Sequence, residues 1–245
     1  PLPGTIALYE KNAGILFPEE CIKAHITLAQ KSNTSFCFNE KVNAVNTEND
    51  AVQIITDKGA YYAEKLIITA GAWLNTLLPG LKLPLSVARQ VLCWFNYQSS
   101  QPENFMPGKF PVYIWEYGAG RMFYGFPSLE NKLKIAIHHE GKDTTADTVN
   151  RTVNSDEIED IIAIAEKFLD AKLSFNHAAV CMYTNTPSED FIIDYHPHHQ
   201  NIIIASPCSG HGFKFSSAIG KVLSDMACDK KPFFSSEAFS IKKHI

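Results

Sequence analysis

The spacing of apolar and polar residues divides the chain into three parts, and the first part combines a helix with short strands. A helical pattern begins at Pro18 and places Ile22 and Ile26 on one face. Strand patterns follow over residues 43–70 and end at Gly71. Because a glycine at the end of a strand lets the backbone come close to a neighbouring group, Gly71 is a candidate ligand contact.

The second part, residues 81–179, is dominated by aromatic-rich strand patterns. An amphipathic helix near its end has Asn154 or Ser155 as its N-cap and apolar residues at helical spacing as far as Leu169. Strands grouped with a helix on one side predict an α+β fold in which an antiparallel sheet is backed by helices. The strand patterns cover residues 91–97, 111–117, 121–126 and 133–138.

From residue 180 onward, the chain is predicted to return to the domain that its first part begins. An apolar strand at 202–205 leads into a turn that contains glycines, and a helix is predicted over residues 211–227. Residues 240–245 are predicted to form a tail. The expected organisation is one discontinuous α/β domain, residues 1–80 and 180–245, around a central domain at 81–179.

Composition excludes several classes of protein. The 245 residues are 45% hydrophobic and 20% charged, and a net charge of −4 gives no basic surface for nucleic acid. No apolar run is long enough to span a membrane, and no signal-peptide pattern is present. The six cysteines lack a Cys-x-x-Cys pair, which favours a reducing, cytoplasmic location. His196, His198 and His199 lie in a predicted turn, so no metal is expected there.

The turn before the last predicted helix carries the most chemical information. Gly210 and Gly212 allow close approach of the backbone, and the helix N-terminus presents free N–H groups with a partial positive charge. Lys214 adds a full positive charge beside them. This arrangement suits a ligand that develops negative charge.

Four segments occur in a characteristic order: Ile-Ile-Thr-Ala-Gly-Ala-Trp at 67–73, Tyr-Gly-Phe-Pro-Ser at 124–128, Cys-Met-Tyr-Thr at 181–184 with Phe-Ile-Ile-Asp at 191–194, and Ser-Gly-His-Gly-Phe-Lys-Phe at 209–215. Together they resemble the family of monomeric sarcosine oxidase and N-methyltryptophan oxidase. The resemblance implies FAD as cofactor and oxidation of an N-methyl, secondary amino acid, with O2 reduced to hydrogen peroxide. It also implies a small amino-acid substrate and a monomer. In terms of domains, it implies that residues 1–80 and 180–245 bind FAD and that residues 81–179 form the substrate domain.

The resemblance assigns several residues to the flavin. It implies a covalent bond from the sulfur of Cys181 to the 8α carbon of the flavin, with Cys208 as the rival attachment site. It puts Lys214 near the N1–C2=O edge or the substrate carboxylate. It puts Lys134 above N5, where a cation favours electron transfer to O2. The remaining expected cofactor contacts are Val42, at the adenine, and Gly71, Gly210, His211, Gly212 and Phe213.

The same resemblance implies substrate contacts. His138 matches the family's active-site histidine, although His139 beside it leaves the register open by one residue. Strand alternation puts His138 on the same face as Lys134, which favours His138. Tyr124 and Tyr183 match aromatic residues of the substrate cavity, and core packing is the competing interpretation for both.

The chain departs from the family in one respect. It has no Gly-x-Gly-x-x-Gly motif between a strand and a helix, where the FAD pyrophosphate would bind. The nearest string, at 118–120, is predicted to be a hairpin turn. With Pro1 in place of methionine, this predicts the C-terminal two-thirds of a longer enzyme, inactive alone, whose N-terminal βαβ unit is absent. The open alternatives are a catalytically silent fragment and a flavin amino-acid dehydrogenase that passes electrons to a carrier.

Overall fold

The computed structural model describes residues 4–48 and 51–244. The chain start at Pro1, two residues of the predicted strand region 43–70 and the last residue of the predicted tail lie outside these ranges. The helices are α1 (Pro18–Lys31), α2 (Leu74–Leu77), α3 (Ser155–Ala165) and α4 (Ser216–Ala227). The strands are β1 (Val42–Glu48), β2 (Ala51–Thr56), β3 (Ala60–Ala63), β4 (Leu66–Ile68), β5 (Ser86–Gln98), β6 (Tyr113–Gly118), β7 (Arg121–Gly125), β8 (Leu133–His138), β9 (Asp143–Thr144), β10 (Lys172–Asn185), β11 (Ile192–His196) and β12 (His199–Ser206).

The chain divides into two compact units. The first unit comprises Ala88–Met182 and the N-terminal segment up to Leu16, and the second comprises Phe17–Val87 and the chain from Tyr183 onward. The central unit begins at Ala88, where the sequence predicts 81, and the chain leaves it after Met182, where the sequence predicts 179. The N-terminal segment groups with the central unit, whereas the sequence predicts it in the other domain. The assignment of one unit to substrate and the other to FAD stays a prediction.

The first unit is built on an antiparallel sheet with the strand order β10-β5-β8-β7-β6. One face of the sheet carries fully buried side chains such as Phe95, Phe123 and Ile135. Ile161 and Ala165 of α3 belong to the same core, so the helix backs the sheet as the sequence predicts. The Gly-Ala-Gly string forms the β6–β7 hairpin, also as predicted.

Helix α3 begins at Ser155 and has Asn154, one of the two predicted caps, as its N-cap. The backbone N–H of Asn154 donates to the Glu157 carboxylate at 2.9 Å, which closes a capping box. Arg89 holds the other side of this carboxylate and donates to the carbonyls of Asn150 and Thr152 at 2.6 and 2.7 Å. Burial would raise the pKa of Glu157, but the hydrogen bonds from Arg89 and Asn154 outweigh it and hold the pKa below its usual value.

The second unit contains two small sheets. Strands β1, β2 and β3 form an antiparallel sheet, whereas β12 pairs antiparallel with β11 and parallel with β4. Both faces of β12 are covered. Ile202 and Ile204 belong to one core, and Ile203 belongs to a second core together with Val222 of α4. Burial on both faces explains the continuous apolar run in this strand.

The predicted tail is wrong for the described residues 240–244. Ile241 is 1% exposed and belongs to a core of the second unit. One carboxylate oxygen of Asp194 accepts hydrogen bonds from Ser240 Oγ at 2.6 Å and from the backbone N–H of Ile241 at 3.0 Å. Because this segment is a short 3-10 turn, its single buried residue produces no periodic pattern in the sequence.

Helix α1 begins at Pro18 as predicted, but it buries none of its residues. Ile22 and Leu28 are half or more exposed, at 50% and 61%. The helix is only 14 residues long. Neither α1 nor any other helix in the described ranges is both long enough and apolar enough to cross a bilayer.

Candidate active site

Strand β8 separates core residues from site candidates by simple alternation. Leu133 and Ile135 are 1% and 0% exposed and lie in the core of the first unit. Lys134 and His138 therefore project from the opposite face of the sheet. The predicted register of this strand is confirmed.

The ammonium of Lys134 lies over aromatic rings. Its Nζ is 5.0 Å from the ring centroid of Trp94 and 5.3 Å from that of Phe126. Trp94 stands directly opposite Lys134 on β5, and the His177 ring stacks on it with centroids 4.5 Å apart. Sequence reasoning missed Trp94, because only the pairing of β5 with β8 brings the two residues together.

Tyr124 and His138 lie on this same face. Their ring centroids are 5.8 Å apart and nearly perpendicular, and Tyr124 also contacts Phe126 at 6.1 Å. His139, the register competitor, has a positive φ of 59°, so the chain leaves the strand there. The structure thus gathers Tyr124, Lys134 and His138 on the side of the sheet away from the core.

Cys181 lies on β10 and is half-buried. Burial raises the pKa of its thiol, and the positive charge of Lys134 opposes that increase. Two residues with predicted flavin roles therefore interact electrostatically within the first unit. Burial also raises the pKa of Cys208, in the second unit.

In the second unit, two of the four characteristic segments contact each other. A Cβ atom at Gly210 would lie 2.6 Å from the ring of Tyr183, so the two residues are in direct contact. The backbone N–H of Ser209 donates to the carbonyl of Thr184 at 2.9 Å. The Cys-Met-Tyr-Thr and Ser-Gly-His-Gly segments are thus joined by packing and by a hydrogen bond.

Close packing of the backbone around residue 212 requires a glycine there. A Cβ atom there would lie 1.6 Å from the carbonyl oxygen of Pro207, which no side chain could accommodate. The glycines of this turn therefore allow close internal packing as well as any approach to a ligand. The Nδ1–H of His211 donates to the carbonyl oxygen of Ser209 at 2.8 Å, and the His211 ring stacks on Phe191 with centroids 4.9 Å apart.

Lys214 lies before the helix rather than in it. The predicted helix start at residue 211 is wrong, since α4 begins at Ser216 and Phe213–Phe215 form a separate 3-10 turn. The reason lies at Phe215, the N-cap of α4, whose φ of −98° and ψ of 0° interrupt the helical backbone between the 3-10 turn and α4. The side chain of Lys214 is exposed, with its Nζ 5.3 Å from the Phe215 ring centroid.

Gly71 and the Gly210 turn lie at the same edge of a sheet. Strands β4 and β12 are parallel, with Ile68 opposite Ile204, and both segments follow the carboxyl ends of these strands. Gly71 has a φ of +53°, and a Cβ atom added there would meet nothing within 4 Å. Ligands of α/β proteins bind at this edge. The candidate FAD residues Gly71 and 210–214 therefore fit a dinucleotide site.

Val42 lies elsewhere in the second unit. It is the first residue of β1, pairs with Thr56 and is 39% exposed. Because β1 belongs to the other small sheet, the sheet that carries Gly71 does not include Val42. An adenine contact at this position stays a prediction.

The histidine-rich hairpin between β11 and β12 brings three imidazoles near one another. The ring of His196 is 6.0 Å from that of His198 and 4.8 Å from that of His199. Burial lowers the pKa of His196, and the two neighbouring imidazoles lower it further. Within the described ranges, no group of three or more metal-ligating side chains could hold a metal ion.

A groove of about 1170 Å³ runs beside α3 in the first unit, away from the residues described above. Four of the charged side chains that line it form two ion pairs. Arg89 pairs with Glu157, and Arg121 pairs with Glu140 at 2.6 Å. The candidate site residues do not line this groove, so the groove is not part of the candidate site.

Sequence comparisons match nearly the whole chain. A family model described as FAD dependent oxidoreductase matches residues 2–226. Monomeric sarcosine oxidase from Bacillus sp. (strain B-0618) is 39% identical over 243 residues, which is 97% of this chain and 62% of the relative. N-methyl-L-tryptophan oxidase from Escherichia coli O157:H7 is 36% identical over 251 residues, 97% of this chain and 63% of the relative. The chain thus spans less than two-thirds of the length of these relatives.

Solved structures share the fold. NikD, an amino acid oxidase essential for nikkomycin biosynthesis, aligns with a TM-score of 0.74 at 17% identity, over 91% of this chain and 59% of NikD. Glycine oxidase from Geobacillus kaustophilus aligns with a TM-score of 0.65 at 20% identity, over 84% of this chain and 52% of the enzyme. At such identities the likeness concerns the fold alone.

Proposed function

The chain belongs to the family of FAD-dependent oxidoreductases, and from that premise we propose that it forms most of an amine oxidase. The substrate is an N-methyl, secondary amino acid such as sarcosine or N-methyltryptophan. The reaction converts the C–N bond to an imine, which hydrolyses, and reduces O2 to hydrogen peroxide. The relatives named sarcosine oxidase and N-methyl-L-tryptophan oxidase support this choice of substrate.

One observation carries the proposal. Tyr124, Lys134 and His138 share the face of the antiparallel sheet that is not occupied by the core. A cation, an imidazole and a phenol on one surface can bind an amino-acid substrate and exchange protons with it.

FAD fits the second unit at the carboxyl edge of β4 and β12. Gly71 and residues 210–214 would hold it there. When bound, FAD accepts the two electrons and the hydrogen removed from the substrate and passes the electrons to O2. Lys214 contributes a positive charge beside this edge, either to the N1–C2=O side of the cofactor or to the substrate carboxylate.

We further propose that FAD is bound covalently through Cys181. The charge of Lys134 favours the thiolate of Cys181 against the effect of burial, and the thiolate is the nucleophilic form. Cys208 is the rival attachment site. Tyr183, at the end of the same strand, is proposed as a second aromatic contact of the substrate.

Two other functions deserve a direct test. The 245-residue chain by itself could be catalytically silent, because it contains no Gly-x-Gly-x-x-Gly motif of the kind that binds pyrophosphate. Alternatively, it could belong to a dehydrogenase that passes electrons to a carrier instead of O2. A monomeric state and a cytoplasmic location stay predictions.

The experiment compares two forms of the protein. One is the 245-residue chain, and the other is the same chain preceded by an N-terminal segment that contains a βαβ unit and brings it to the length of its relatives. We expect the extended form to show flavin absorbance that survives acid precipitation, and to release hydrogen peroxide with sarcosine or N-methyltryptophan. Flavin that is reduced by substrate but not reoxidised by O2 would indicate the dehydrogenase instead. Absence of flavin from the extended form would overturn the proposal.

A further inference from the structure

The side chain of Lys134 is flanked by two aromatic rings. The ammonium is 5.0 Å from the Trp94 centroid and 5.3 Å from the Phe126 centroid. Both distances are within the range, up to about 6 Å, in which the negative face of an aromatic ring attracts a cation. Indole gives the strongest attraction of the natural side chains, so Trp94 is the more important of the two neighbours.

Trp94 is itself held in place. The strand order is β10-β5-β8, so β5 lies between the strand that carries His177 and the strand that carries Lys134. The His177 ring stacks on the indole with centroids 4.5 Å apart and planes inclined by only 12°. The indole is therefore packed by an imidazole from one neighbouring strand and meets the ammonium from the other.

We propose that Trp94 is a positioning residue, whose indole face fixes the ammonium of Lys134 above the site face of the sheet. A lysine side chain has four rotatable bonds, and the strand alone sets only where it starts. An attractive ring directly opposite in the sheet selects the rotamers that keep the charge over this face. Trp94 thereby acts through Lys134 and needs no contact with substrate or FAD.

A double-mutant cycle tests the proposal in the 245-residue chain without cofactor. The four proteins are the natural chain, Trp94→Leu, Lys134→Met and the double variant, and the measurement is the equilibrium constant for unfolding of the first unit in urea. If indole and ammonium interact, the unfolding constant of the double variant should be about 2- to 30-fold smaller than the value obtained by multiplying the two single effects. Strict additivity would show that Trp94 only packs, and would overturn the proposal.

Lys132→Met is the matched control, because Lys132 lies two residues away on the same chain segment and pairs with Leu129 rather than with Trp94. It should show no coupling to Trp94→Leu. If Trp94→Leu does not fold, Trp94→Phe replaces it. Competitive acetylation followed by peptide mass spectrometry then reports Lys134, with Lys132 as internal reference. Faster labelling of Lys134 in Trp94→Phe supports the proposal, and an unchanged ratio overturns it.

The consequence for chemistry rests on the proposed function and is measured separately. In the extended, flavin-loaded protein, Trp94→Phe should slow reoxidation by O2 more than reduction by substrate. If the double-mutant cycle shows coupling but Trp94→Phe does not slow reoxidation by O2, Trp94 still positions Lys134. That result would contradict the role proposed for Lys134 in the reaction with O2. Absence of coupling contradicts the role of Trp94 whatever the kinetics show.

Discussion

Gly210 packs directly against Tyr183. The backbone of Gly210 has a φ of +73°, and a Cβ atom added to it would come within 2.6 Å of the tyrosine ring. Two independent constraints, the left-handed backbone and the close ring, therefore exclude every residue but glycine. The contact fixes the position of the turn that leads to Lys214 relative to Tyr183.

We expect Gly210→Ala to destabilise the second unit by about 1–3 kcal/mol, because the new methyl group both strains the backbone and overpacks the Tyr183 ring. The measurement is urea unfolding monitored by far-ultraviolet circular dichroism. Gly220→Ala is the control. Gly220 lies exposed in α4 with nothing within 4 Å of its would-be Cβ, so alanine there should be neutral or stabilising. Equal stability of the two variants would contradict the contact.

The carboxylate of Asp194 should anchor the C-terminal segment. We expect Asp194→Ala to cost roughly 2–4 kcal/mol, because the Ser240 hydroxyl and the Ile241 N–H lose a charged acceptor. Hydrogen exchange of residues 240–243 should rise in the same variant. Asp229→Ala is the control, since this exposed carboxylate pairs only with Lys65 in the part of the chain described. If both variants unfold at the same urea concentration, the anchor has no energetic role.

Much of the fold follows from periodicity. Alternation along β8 puts Lys134 and His138 on one face, and the structure places Leu133 and Ile135, on the other face, in the core. Helical spacing predicts α3 with Asn154 or Ser155 as its cap, and the structure selects Asn154. Periodicity could not find Ile241, because a single buried residue in a 3-10 turn leaves no pattern. It also predicts the start of α4 too early, since the apolar residues of the 3-10 turn at 213–215 continue the helical spacing although Phe215 has a φ of −98° and a ψ of 0°.

The candidate site was only partly accessible from the sequence. Lys134, His138 and Tyr124 could be selected because they lie in short, recognisable segments. Trp94 could not, because its importance arises from the register between β5 and β8, which are separated along the chain by two other strands. Contacts between distant strands depend on the whole sheet, so a local pattern does not contain them.

The capping carboxylate of α3 should make stability depend on acid pH. Burial alone would raise the pKa of Glu157, but Arg89 and the Asn154 N–H hold it below the usual value of 4.5. A lowered folded-state pKa adds stability above pH 4.5, and this stability is lost as the pH falls through the folded-state pKa. Glu157→Gln should therefore lower the melting temperature at neutral pH and flatten its decline in acid. Glu159→Gln, at an exposed position of the same helix, should retain the decline. An unchanged acid profile in Glu157→Gln would contradict this assignment.

The pKa of the Cys181 thiol should depend on the positive charge of Lys134. Burial raises its pKa and Lys134 opposes the increase, so Lys134→Met should raise the thiol pKa further. Less thiolate is then present at neutral pH, and alkylation by iodoacetamide should become slower. Peptide mass spectrometry over a range of pH separates Cys181 from the other cysteines. Lys132→Met should leave the pH dependence of Cys181 alkylation unchanged. If the natural chain, Lys134→Met and Lys132→Met all show the same pH dependence, Lys134 is too distant to affect the thiol.

Lys134 should matter most for the reaction with O2. In the extended, flavin-loaded protein, its ammonium is proposed to stabilise the negative charge that develops as O2 is reduced, a charge that substrate oxidation does not produce. Loss of one preorganised electrostatic group costs on the order of 10²–10³ in rate. Lys134→Met should therefore slow reoxidation by about that factor, while anaerobic reduction by substrate changes much less. Stopped-flow absorbance separates the two half-reactions, with Lys132→Met as control. An equal loss in both would make Lys134 a substrate-binding or structural residue, and no loss in either would remove it from the chemistry.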